Sequence, residues 1–176
     1  EARHVLETGR TVDPLPAEFA TLALWERSVA LPWSQGELFA APAGPGSPLG
    51  PSLTVTSVES RGELRHVTAT VHARPGARLL IVALPGGLTS LRVGGRTLDR
   101  DKLRVAPSGR RMLTIFGPPE EGVALVAELR GSESWLLADG LPELPAGSRG
   151  LALARPSDRV PYQNGDLSVA LRQVSP

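Results

Sequence analysis

From residue 65 onward the chain changes face every residue. In Arg65-His66-Val67-Thr68-Ala69-Thr70-Val71-His72-Ala73 the odd positions are mainly apolar and the even ones polar, which predicts a strand with one face buried and one face wet. Arg74-Pro75-Gly76-Ala77 then reads as a turn into Leu79-Leu80-Ile81-Val82-Ala83-Leu84, a continuous apolar run that predicts a strand buried on both faces. The two together are expected to form a hairpin. Further strands are predicted at 53–59, 89–93, 111–116, 123–130, 134–138 and 167–174, each bounded by Gly, Pro or Ser. Strands that follow one another without long helices predict a mainly β, antiparallel β-sandwich.

The first 40 residues follow another pattern. Phe19, Trp25, Trp33 and Phe39 lie there, while only Phe116, Trp135 and Tyr162 follow. Aromatic side chains are costly to leave in water, so residues 1–40 are expected to be an extended N-terminal arm packed on the body. Pro14, Pro16 and Pro32 interrupt it. Phe19, Leu22, Trp25 and Val29 recur at helical spacing, which predicts a short helix near 17–28 and at most one or two short helices in the whole chain. Residues 41–52 are a Pro/Gly/Ser connector with no means of building a core. The sandwich is expected over 53–176.

At 176 residues the chain has room for one well-buried core. The absence of cysteine removes disulfides, thiolate metal sites and cysteine nucleophiles together. The longest strongly apolar run is the six residues Leu79–Leu84, far short of the ~20 that span a bilayer. The formal charge is +1, and the basic residues, 18 Arg and the single Lys102, are spread along the chain. That spread predicts no nucleic-acid binding and no footprint for an anionic membrane. The chain opens on Glu1 with neither an initiator Met nor a signal-peptide pattern, as expected of a piece cut from a longer polypeptide or matured by cleavage.

Candidate chemistry is sparse. His66 and His72 share one strand face, but six residues at ~3.3 Å each set them roughly 20 Å apart, too far to share an ion. His4 and Glu7 have helical i, i+3 spacing without the third ligand that a metal site needs. No Ser sits in a G-x-S-x-G elbow, and Ser148 reads as a turn residue. Glu120-Glu121 and the pair Asp99 and Asp101 could serve acid–base chemistry, yet both lie in turns, where solvated acids are expected. Gly86-Gly87 and Gly94-Gly95 read as hairpin glycines supplying positive φ, and Asn164-Gly165 as a type I′ turn. Tyr162, Gln163, Asn164 and Asp166 form one polar-aromatic loop that could contact a ligand. These readings assign no catalytic residue and no metal ligand.

Taken in order, the turns of the second half resemble those in the C-terminal region of bacterial membrane-bound zinc exopeptidases of the aminopeptidase Y type, relatives of the vacuolar membrane protease and the endoplasmic reticulum metallopeptidase. Leu91-Arg92-Val93-Gly94-Gly95 looks like the family's V-N-G turn, with Gly94 in place of Asn. Phe116-Gly117-Pro118-Pro119-Glu120-Glu121-Gly122, one residue short of the pattern, looks like its aromatic-Gly-Pro turn. Trp135–Pro142 looks like the strand closing on D…G-L-P, although Gly140 follows Asp139 directly. Arg155-Pro156 with Pro161, and then Asp166–Val169, resemble the closing motifs. The resemblance covers residues 53–174 and implies a non-catalytic accessory domain that ends a multi-spanning zinc-dependent exopeptidase, where it could pack on the peptidase domain or help shape substrate access. It implies that this chain is not itself an enzyme and holds no cofactor, the zinc belonging to the parent's peptidase domain. It further implies an extracytoplasmic location, with the parent's own peptidase domain and membrane region as partners. The alternative is a free-standing secreted β-sandwich that binds a glycan or protein ligand through Tyr162–Asp166 or through exposed tryptophans. A third reading is a hydrolase built on the paired acids.

Overall fold

The structure is a computed structural model. It describes residues 5–7, 26–28, 31, 38–42, 49–142, 150, 153 and 167–176, with the backbone course alone for 5–7, 26–28 and 38–42. Three short strands of the N-terminal region, β1 (Val5–Glu7), β2 (Glu26–Ser28) and β3 (Leu38–Pro42), form an antiparallel sheet in the order β1-β3-β2. The helix expected near 17–28 is thus replaced at Glu26–Ser28 by a strand. The pairing of β3 with two neighbours satisfies backbone groups that a short isolated helix would leave exposed at both ends. Residues 17–25, and the side chains of Phe19, Trp25, Trp33 and Phe39, lie outside the described residues. The connector is also shorter than expected, since Ala41 and Pro42 belong to β3 and Ser52 to the next strand.

The body is an antiparallel β-sandwich. Its first sheet runs β4-β5-β11-β7-β8, built from β4 (Ser52–Arg61), β5 (Leu64–His72), β11 (Val123–Arg130), β7 (Leu88–Val93) and β8 (Arg96–Leu98). The second runs β13-β12-β6-β10-β9, from β13 (Ser168–Val174), β12 (Trp135–Leu141), β6 (Leu79–Leu84), β10 (Arg111–Phe116) and β9 (Arg104–Val105). A single turn of 3₁₀ helix, η1 (Arg100–Lys102), links β8 to β9. The strands expected at 79–84, 111–116 and 123–130 have those bounds, and the other five agree to within three residues at either end.

β5 and β6 do not form the expected hairpin. β5 pairs with β4 and β11, whereas β6 pairs with β10 and β12, so residues 73–78 carry the chain from one sheet to the other. The physical reason is burial. β6 is apolar on both faces and is best satisfied at the centre of a sheet, between two apolar strands, whereas β5 has only one face to hide. Val67, Val71, Leu88, Leu91, Leu125 and Leu129 of the first sheet pack on Leu80, Val82, Leu84, Trp135 and Leu137 of the second. A second apolar cluster lies on the other face of the second sheet, around Ile81, Ala83, Met112 and Ala138.

The two glycine pairs differ. Gly94 and Gly95 have φ of 53° and 81° and close the β7–β8 hairpin, as expected. Gly86 and Gly87 are absent from the positive-φ set. Gly87 instead answers to a close approach, because a Cβ there would lie 2.5 Å from the Arg130 carbonyl oxygen, while Arg130 N donates to Gly87 O at 2.9 Å.

Candidate functional site

The single buried charged residue among the described side chains is Asp139, 1% exposed, on the inward-facing side of β12 beside Leu80 and Ala170. Burying a carboxylate there without partners would be strongly unfavourable. Arg74 supplies them. Its backbone N–H donates to Oδ2 at 2.7 Å and its Nε to Oδ1 at 2.8 Å, with Nη2 2.7 Å from the same Oδ1. Nη2 also donates to the Ser168 carbonyl at 2.9 Å. The Arg74 side chain is 9% exposed, and Pro75 after it biases it toward the extended backbone in which main chain and guanidinium serve the same carboxylate.

The clasp therefore joins three pieces: the crossover leaving β5, the centre of β12 and the start of β13. Two backbone bonds extend it, Arg78 N to Gly140 O at 2.8 Å and Gly117 N to Arg78 O at 2.9 Å. Gly140, inside β12 rather than in a turn after it, faces the other side of the sheet. An added Cβ would meet Leu167 Cδ1 at 3.3 Å and Leu79 Cβ at 3.4 Å. Both oxygens of Asp139 are engaged by Arg74 and the side chain is wholly buried, so the carboxylate ties the crossover to the second sheet and is not open to solvent. From the residues alone Asp139 reads only as the acid of the D…G-L-P motif that closes a strand. The better signal was one acid set in the apolar strand Trp-Leu-Leu-Ala-Asp-Gly-Leu.

The other candidates are not brought together. His66 and His72 are on the outer face of the first sheet, opposite the inward-pointing Val67, Ala69 and Val71. His66 sits in a cross-strand row with Glu59 on one side and Glu128 on the other, but Glu59 bonds Arg61 at 2.9 Å. His66 Nδ1 is 3.6 Å from Glu128 Oε1, beyond hydrogen-bond range. It and Trp135 Nε1 are buried side-chain atoms without a hydrogen-bond partner. His72 packs under Gly122, where a Cβ would lie 2.7 Å from Nδ1. Among the described residues no group of three or more His, Cys, Asp or Glu is placed to hold a metal ion.

Of the paired acids, Asp99 and Asp101 have structural partners. Asp99 caps η1 by accepting from Asp101 N at 3.0 Å, and lies 3.9 Å from Lys102. Asp101 lies 3.2 Å from Arg100 and 3.5 Å from Arg111. Glu120 and Glu121 are exposed in the turn between β10 and β11. Tyr162, Gln163, Asn164 and Asp166, together with His4, Ser148, Arg155, Pro156 and Pro161, lie outside the described residues.

No protein family, curated protein or solved structure matches the chain. No helix among the described residues is long and apolar enough to cross a membrane.

Proposed function

We propose that this chain is a non-catalytic accessory domain that ends a multi-spanning membrane zinc exopeptidase and packs on the peptidase domain on the extracytoplasmic side. The reading rests on the ordered turn motifs. The observation that carries it is the place of Phe116, the aromatic of the Gly-Pro turn. It is 71% exposed at the end of β10, in a row across the outer face of the second sheet with Leu79, Gly140 and Val169. Most of that face is already buried within the chain, at Ile81, Ala83, Met112 and Ala138, and Phe116 stands exposed at its margin. An exposed aromatic at the margin of an apolar face is what a contact with another body uses. In this reading the zinc and its ligands are the parent's, and Asp139, the acid of the D…G-L-P motif, serves only to tie the crossover to the second sheet.

Three measurements test it. The coding sequence upstream of Glu1 should contain several apolar segments of ~20 residues, preceded by His/Asp/Glu ligand motifs. Phe116→Asp should weaken association of this chain with that peptidase domain about tenfold or more while leaving its thermal unfolding unchanged. The purified chain should neither retain zinc stoichiometrically nor cleave an aminoacyl reporter in proportion to its concentration. Either activity in the isolated chain sinks the proposal.

A further inference from the structure

We infer that the edge of the sandwich formed by β8, η1 and β9 is a docking surface for an anionic phospholipid bilayer. β8 ends the first sheet and β9 ends the second, and only residues 99–103 separate them. The two edges therefore lie on the same side of the molecule.

Charge is concentrated there. The edge itself, residues 96–105, carries Arg96, Arg100, Lys102 and Arg104 against Asp99 and Asp101, and Arg92 on β7, Arg110 and Arg111 flank it, so the 20 residues from 92 to 111 carry +5 in a chain of net +1. The even spread of basic residues along the chain fails at this scale. The next stretch, 112–142, has Arg130 as its single basic residue against five acidic ones, which makes the sandwich electrically lopsided. Both acids of the edge are engaged locally, Asp101 by Arg100 and Arg111 and Asp99 by Lys102. Arg92, Arg96, Lys102 and Arg104 are exposed. The frame beneath them is held by Arg100 Nη1 on the Leu88 carbonyl and Arg111 Nη1 on the Arg100 carbonyl, each at 3.0 Å.

The chemistry favours lipid over nucleic acid. Guanidinium groups pair bidentately with phosphodiester oxygens in either partner. However, Val105 is 49% exposed next to Arg104 on the terminal strand. An apolar side chain among arginines suits the boundary between headgroups and acyl chains, and a nucleic-acid backbone offers it nothing. Segment 92–111 has no aromatic residue on which a base could stack. Each cation near an anionic surface contributes about a fivefold gain in affinity, screened by salt. This inference goes beyond the proposed function and does not depend on it.

The test is co-sedimentation of the whole chain with vesicles of phosphatidylcholine alone and of phosphatidylcholine containing about a third phosphatidylglycerol. Binding should require the anionic lipid and fall as salt is raised. The triple variant Arg92→Glu, Arg96→Glu, Lys102→Glu should lose about 100-fold or more. A control with the same charge change elsewhere, Arg61→Glu, Arg130→Glu, Arg172→Glu, should lose less than about fivefold. Val105→Ser, which removes the apolar side chain without changing charge, should weaken vesicle binding and leave any binding to duplex DNA unchanged. Circular dichroism establishes that each variant is folded, and Arg92→Gln with Arg96→Gln replaces the triple variant if that one is not. Equal binding to both vesicles, no binding to either, equal losses in test and control, or tighter binding to duplex DNA overturns the inference. Vesicle binding without association with a peptidase domain would defeat the proposed function alone.

Discussion

The two sheets of the sandwich solve burial differently. Along β5 in the first sheet Val67, Ala69 and Val71 are buried and the residues between them half-buried, so one face serves the core and the other carries Thr68, Thr70 and the histidines. Along β6 in the second sheet every residue from Leu80 to Leu84 is buried. A sheet of the first kind reads its orientation from the alternation of its side chains. A sheet of the second kind has no such cue, and its register must come from elsewhere. The Arg74–Asp139 clasp supplies one, because a slip of β12 by one residue would point the carboxylate away from Arg74 and toward the Ile81 cluster.

Breaking the clasp should therefore be the most damaging single change. Asp139→Ala leaves a guanidinium that is 9% exposed without its counter-charge, and Arg74→Ala leaves the carboxylate bare. Each is expected to cost about 3–5 kcal/mol in chemical denaturation. Replacing both, Arg74→Met with Asp139→Leu, should restore most of the loss. A double variant as unstable as the sum of the singles would show that the pair is not the cause.

The contrast between β5 and β6 predicts a difference at neighbouring positions. On β6, Leu80→Ala and Ile81→Ala should each cost about 2–4 kcal/mol, although the two side chains point to opposite faces. On β5, Val67→Ala should cost about 1.5–3 kcal/mol, while Thr68→Ala beside it stays below about 1 kcal/mol. An Ile81→Ala change as mild as Thr68→Ala would mean that the outer face of the second sheet contributes little. Gly87→Ala should follow at about 1–3 kcal/mol, since the Arg130 carbonyl that the new Cβ would meet belongs to β11 and cannot turn aside as a side chain can.

The same contrast explains what could be read from residues alone. Strand positions were legible in both sheets, since alternation marks β5 and β11 and a bounded apolar run marks β6. The partners of those strands were not. The Arg-Pro-Gly-Ala turn before β6 has hairpin composition, and only the need to cover both faces of Leu79–Leu84 sends the chain to the opposite sheet. Composition likewise could not separate Gly94-Gly95, chosen for backbone conformation, from Gly87, chosen for clearance. Of the candidate site residues, the strand geometry of His66 and His72 was readable from spacing, as the side-chain period of two depends only on local backbone. The clasp was not readable, because Arg74 and Asp139 are 65 residues apart and neither the turn nor the strand alone shows that the two meet.

The smallest effect belongs to the outer face of the first sheet, where His66 faces Glu128 at 3.6 Å with side chains 28% and 41% exposed. Cross-strand pairs of this kind contribute at most about 1 kcal/mol. A double-mutant cycle with His66→Ala and Glu128→Ala should accordingly return a coupling below about 1 kcal/mol, reduced further in high salt. The geometry is that of the clasp in outline, an acid and a base on neighbouring segments. What differs is burial: the Arg74–Asp139 pair is almost wholly enclosed, whereas the His66 and Glu128 side chains are partly open to water although His66 Nδ1 itself is not. A coupling of several kcal/mol at His66 would mean that this face is covered in solution, and the distinction between a one-faced and a two-faced sheet would fall with it.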